Sequence, residues 1–100
     1  MTVDEGAWEV RPQLRLIELG LPDKDLVDRL LVYFHSGGVD FQPSATLAAD
    51  GTAASVGGTC GLSAPTPGAA VDKAVELLER ACATVGIATA DLVEVVVEPG

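Results

Sequence analysis

The feature that most constrains this chain is a hydrophobic period that changes from two residues to about 3.6 and back, twice over. From Trp8 to Leu16 the even positions are Trp8, Val10, Pro12, Leu14 and Leu16, and the odd ones are Glu9, Arg11, Gln13 and Arg15. That alternation predicts a strand with one buried face, and Pro12, which donates no ladder bond, is expected where the strand begins or bulges. The alternation shifts through Ile17-Glu18-Leu19, and Gly20-Leu21-Pro22-Asp23 closes the strand and opens a helix. Asp23 is the expected N-cap. Leu26, Val27, Leu30, Leu31 and Phe34 then share one helical face, and Lys24, Asp25, Asp28, Val32 and His35 the other. Ser36-Gly37-Gly38 supplies the stop.

Alternation resumes from Val39 to Ala49, with Phe41, Pro43, Ala45 and Leu47 on one parity and Asp40, Gln42, Ser44 and Thr46 on the other. Asp50-Gly51 predicts a type I′ hairpin, which needs two left-handed residues. The return strand, Thr52 to Ser63, places Val56, Cys60 and Leu62 on one face and Ser55, Gly57, Thr59 and Gly61 on the other. Thr66-Pro67 is a cap followed by a proline at the first helical position. Val71, Ala74, Val75, Leu78, Ala81, Cys82 and Val85 make the stripe of a second helix ended by Gly86. Leu92–Glu98 is a last strand, whose run of valines leaves its inward parity open.

Two βαβ halves joined by a hairpin predict an α+β, two-layer sandwich with both helices on one face, because right-handed crossovers put them there. The expected arrangement resembles the ferredoxin-like fold, βαββαβ with strand order 4-1-3-2, over residues 8–98 as a single domain behind a flexible lead at residues 1–7. The segments L-A-A-D-G-T-A-A-S-V, A-V-D-K-A-V-E-L-L-E-R-A and D-L-V-E-V-V-V-E-P also resemble short acidic actinobacterial proteins of unknown function. That resemblance implies no activity.

Composition sharpens what such a fold does. Among 100 residues, fifteen acids stand against six bases, a net charge of -9. This balance opposes binding to nucleic-acid phosphates or an anionic membrane. The predicted central strand also offers no ring for stacking a base. The N-terminus lacks the basic and apolar regions of a secretion signal, which makes the cytoplasm the expected compartment. There is no C-x-x-C pair, no phosphate-cradling glycine loop and a single histidine, so neither metal nor cofactor is expected. His35 is read as a helix-end residue, since no nucleophile stands in readable relation to it. Cys60 and Cys82 fall on apolar stripes and are read as core thiols, whose burial disfavours the reactive thiolate.

The sheet face turned away from the helices carries the candidate interaction residues Arg11, Arg15, Gln42, Ser55, Gly57 and Thr59, with Trp8 at its end. Small side chains in its middle would let another backbone approach closely. The leading expectation is a non-catalytic protein–protein interaction or dimerisation module, pairing with a second copy or with another protein. The alternative is a small-molecule-binding protein or small enzyme of the dimeric α+β-barrel kind, with Tyr33, His35, Gln42, Thr59 and Arg15 as its polar groups. A third reading is an acidic mimic docking on a basic partner.

Overall fold

The computed structural model describes residues 6–17 and 22–100. Its elements are β1 (Gly6–Leu16), α1 (Asp23–Gly37), β2 (Phe41–Leu47), β3 (Ala53–Ala64), α2 (Pro67–Val85) and β4 (Thr89–Pro99). The chain is an α+β domain: four antiparallel strands lie in the order β2-β3-β1-β4, which is 4-1-3-2 when numbered from the other edge. The two helices touch each other and share one core with the sheet, so both cover the same face.

That core follows the alternation. Val10, Leu14 and Leu16 of β1, Phe41 of β2 and Val56 and Cys60 of β3 meet Leu26, Leu30 and Phe34 of α1 and Ala74, Leu78, Ala81 and Cys82 of α2. With few aromatics available, Phe34 and Phe41 stack at 4.4 Å to fill the space between α1 and β2. Each such buried ring contributes about 1.5–3 kcal/mol relative to exposure. Thr66 caps α2 by accepting the Ala69 N–H at 3.1 Å, with Pro67 at the helix's first position.

Several expectations require correction. Of the lead predicted over residues 1–7, residues 1–5 lie outside the described residues, as do Glu18 to Leu21 of the predicted strand end. Gly6 and Ala7 instead belong to β1, paired with Ala64 and Ser63. Pro22, not Asp23, occupies the N-cap position of α1, where its extended backbone (φ -65°, ψ 132°) precedes the first helical turn. Only the row Leu26, Leu30, Phe34 of α1 is buried. Leu31 is 43% exposed, because the helix lies chiefly over β2 and one row of side chains suffices to meet the sheet.

The hairpin is not type I′. Among the described residues none but glycine has positive φ, so Asp50 is not left-handed. Gly51 donates to the Ala48 carbonyl and Ala48 to the Thr52 carbonyl, which closes a three-residue loop with Gly51 at φ 84°. The Asp50 carboxylate accepts both the N–H and the hydroxyl of Thr52 (3.0 and 2.6 Å), and the hydroxyl bond holds its pKa below the ordinary carboxylate value. The strands are correspondingly displaced: β2 ends at Leu47 rather than Ala49 and β3 runs one residue further, to Ala64.

Pro12 lies in the middle of β1, a central strand, and is buried. The pairs Val10↔Cys60 and Gln13↔Gly57 put it across from Gly58, and on the other side of β3 the same glycine pairs with Pro43. Gly58 adopts φ 151°, open to glycine alone, between two residues that cannot donate to a ladder.

Candidate functional site: the uncovered sheet face

The register settles which side chains occupy the face opposite the helices. Trp8↔Pro99, Val10↔Val97 and Pro12↔Val95 put Val95 and Val97 with the core, so Glu94, Val96 and Glu98 join Glu9, Arg11, Gln13 and Arg15 on the uncovered side. β2 contributes Gln42, Ser44 and Thr46, and β3 contributes Ser55, Gly57, Thr59, Gly61 and Ser63.

The face has three regions. Over β1 and β4 it is a row of ion pairs. Arg11 bonds Glu98 and lies 3.7 Å from Glu9, and Arg15 reaches Asp91 at 2.6 and 2.9 Å. Hydrogen bonding to Arg15 draws the Asp91 carboxyl below its ordinary pKa. The two arginines named as candidates are thus already partnered within the chain, although both remain well exposed.

In the centre the face is closed. The Ser55 hydroxyl, 8% exposed, donates to Gln13 Oε1 at 3.1 Å. A Cβ at Gly57 would fall 2.0 Å from the Pro12 carbonyl and 2.6 Å from the Gln13 amide. The space left by Gly57 therefore admits the chain's own β1 and the Gln13 side chain, where the composition of the strand had suggested room for a partner's backbone.

At the third region the face opens into a trough of about 700 Å³, bordered by Glu9, Asp40, Gln42, Thr59, Ser63 and the backbone near Gly61 and Gly100. β2 and β3 place Gln42 and Thr59 directly opposite each other here. The trough presents two carboxylates and neutral hydrogen-bonding groups beside the apolar Ala7, Trp8, Leu62 and Pro99, a lining suited to a cationic group on an apolar body. Trp8 is part of this lining, half-buried. Its indole N–H is committed to the Ala64 carbonyl at 3.0 Å, which pins the ring along the end of β1.

The sheet separates the polar residues grouped for a small-molecule site. Gln42 and Thr59 share the trough, and Arg15 lies on the same face, in its ion-pair row. Tyr33 and His35 belong to α1, on the other side, where His35 lines a shallow hollow with Leu31, Val32 and Ser36. The acids are divided in the same way: Asp25 and Asp28 of α1 and Asp72, Glu76 and Glu79 of α2 lie on the helical side, and Glu9, Glu94 and Glu98 on the uncovered one. Cys60 and Cys82 are buried free thiols. Desolvation pushes both pKa values up to about 11, with the negative charges of Asp40 and Glu79 adding respectively to the effect. Among the described residues no group of three or more His, Cys, Asp or Glu could hold a metal ion, and no helix is long and apolar enough to cross a membrane.

No protein-family model matches this chain, and neither a curated protein nor a solved structure matches it.

Proposed function

We propose that this chain is a non-catalytic interaction module of ferredoxin-like arrangement, which pairs with a second copy or with another protein through the uncovered face of its sheet. The observation that carries this reading is the one-sided layering: both helices cover one face, and the other holds an open trough beside a row of ion pairs in which Arg11 and Arg15 meet Glu9, Glu98 and Asp91. The buried thiols support it, since a thiol held near pKa 11 supplies almost no nucleophile at neutral pH. A second reading, a small-molecule site between facing sheets, is favoured by the size of the trough, which lies within the range of ligand pockets.

Light scattering at micromolar concentration tests the first reading, with Gln42→Arg and Thr59→Arg as variants that crowd the trough. The expected result is an assembly larger than one chain that both variants weaken. A strict monomer whose protein contacts survive both substitutions overturns it. Retention of a small molecule in native mass spectrometry, lost in the same variants, would favour the second reading.

A further inference from the structure

The strand order leaves two sheet edges, and they differ. β2 is seven residues long and interrupted by Pro43. β4 is eleven residues long, with its proline only at position 99 and no lysine or arginine. Its irregularities against β1 fall between Gln13 and Leu16, opposite the first half of β4. From Glu94 to Pro99 the pairing is regular. Among the described residues nothing pairs with the outer side of this segment. Short edges, charged side chains, proline and bulges are the usual means of blocking strand addition, and of these Glu94–Glu98 has only its two carboxylates, which a cationic partner would neutralise.

The side chains of that segment also select a partner. Val95 and Val97 point to the helical side, half-buried. Glu94, Val96 and Glu98 point to the other. The inner neighbour shows what fits such a row: on β1, Arg11 stands directly across from Val96 and bonds Glu98, while Val10 and Pro12 stand across from Val97 and Val95. Glu94 has no ion pair among the described residues. A strand added on the outside with a cation across from Val96 would hold that cation diagonal to both carboxylates, within reach of a long side chain.

We infer that the outer edge of β4, from Glu94 to Glu98, is a docking site for an extended segment of another protein that carries a lysine or arginine between two apolar residues. Such a partner adds a fifth strand to the sheet. Main-chain hydrogen bonds supply affinity, and the apolar–cation–apolar order supplies selectivity. The site is separate from the trough, so Thr59→Arg leaves it intact and its failure is distinguishable from failure of the proposed function.

The test uses the full chain and an acetylated, amidated peptide Ser-Thr-Val-Arg-Val-Thr-Ser, followed by backbone amide NMR shifts. Controls are the same peptide with Glu replacing Arg, and one N-methylated at alternate amides. The expected shifts centre on residues 94–98. The Glu peptide and the N-methylated peptide bind more weakly. Glu94→Lys weakens the Arg peptide by about two- to five-fold, the range of an exposed ion pair, and strengthens the Glu peptide by a similar factor. Equal binding of all three peptides, shifts mapping to the helices or the trough, or a dimer of the free chain with protected β4 amides each overturn the inference.

Discussion

Replacing Gly58 by alanine tests the account of the sheet centre most directly. An ideal Cβ there falls 2.1 Å from the Gln42 carbonyl oxygen, 2.7 Å from the Phe41 ring and 2.8 Å from the Pro43 Cα. Two of these three atoms are backbone and the third belongs to a ring stacked on Phe34, so nothing near can yield without moving β2. The residue's φ of 151° adds strain of about 1–3 kcal/mol for any side chain. Overpacking adds about 1–3 kcal/mol more. A loss of about 2–6 kcal/mol follows, a large part of the roughly 5–15 kcal/mol that holds an ordinary domain together. Gly61→Ala, three residues along the same strand, is the control. Its nearest neighbour is the Asp40 carboxylate at 3.1 Å, the movable end of an exposed side chain, and its φ is not positive. Loss of chain entropy in the unfolded state favours that variant by about 0.4–1 kcal/mol. Urea unfolding followed by Trp8 fluorescence and circular dichroism reads both, with the slopes compared to exclude a change of unfolded state. Equal midpoints for the two variants would refute the assignment of Gly58 as a position that only glycine can fill.

Gln13→Ala strands the buried Ser55 hydroxyl and should cost about 1–3 kcal/mol; adding Ser55→Ala should recover part of that loss in the same titration, and no recovery would remove the Gln13–Ser55 bond from the account of the closed centre. Trp8→Phe removes the bond to the Ala64 carbonyl, with an expected loss of about 0.5–1.5 kcal/mol, and hydrogen exchange should show the Gly6–Val10 end of β1 opening first. Thr66→Ala should lower stability by about 1 kcal/mol through the lost cap, seen as a shifted midpoint with an unchanged slope. The two thiols set an alkaline limit: their folded pKa values, about 11, exceed the ordinary thiol value of 9.0, so above pH 9 the unfolded chain releases these protons first. Stability is unaffected by them below pH 9 and is lost as pH rises toward 11, by about 1.4 kcal/mol per thiol per pH unit at most. An equally steep alkaline fall in the Cys60→Ala, Cys82→Ala double variant would show that other groups cause it.

What was legible in the sequence was what a single element decides for itself. Alternation in β1 and in β2 as far as Ala45, the Ala74, Leu78, Ala81 and Cys82 stripe of α2, and the Thr66-Pro67 start of that helix depend on near neighbours, and the structure follows them; Leu47, beyond a register shift, is 51% exposed, and Val71, Val75 and Val85 are only half-buried. The parity of β4 was open because Val93, Val95, Val96 and Val97 satisfy either face; only pairing with β1 distinguishes them. Leu31 lies one step from the buried row of α1, and its exposure depends on how far that helix sits over β2, which no periodicity encodes. Asp50-Gly51 favours a turn in any case, but its dipeptide does not distinguish a two-residue from a three-residue closure, and in the three-residue loop observed Asp50 bonds Thr52.

The uncovered face shows the same division at the level of function. Read strand by strand, Ser55, Gly57, Thr59 and Gly61 form a uniform row of small groups, an apparent landing surface for another sheet. Assembled, the row divides because its neighbours differ: Gln13 covers Ser55 and Gly57, and the borders of the trough flank Thr59 and Gly61. The cause is Pro12. It interrupts the ladder to β3 beside Gly58, and in the very next residue Gln13 reaches across Gly57 to Ser55. A proline in a central strand thus costs the sheet a hydrogen bond and stands beside the polar cap that seals its middle. The cap leaves the trough open at one end of the face, and among the described residues the outer edge of β4 stays unpaired.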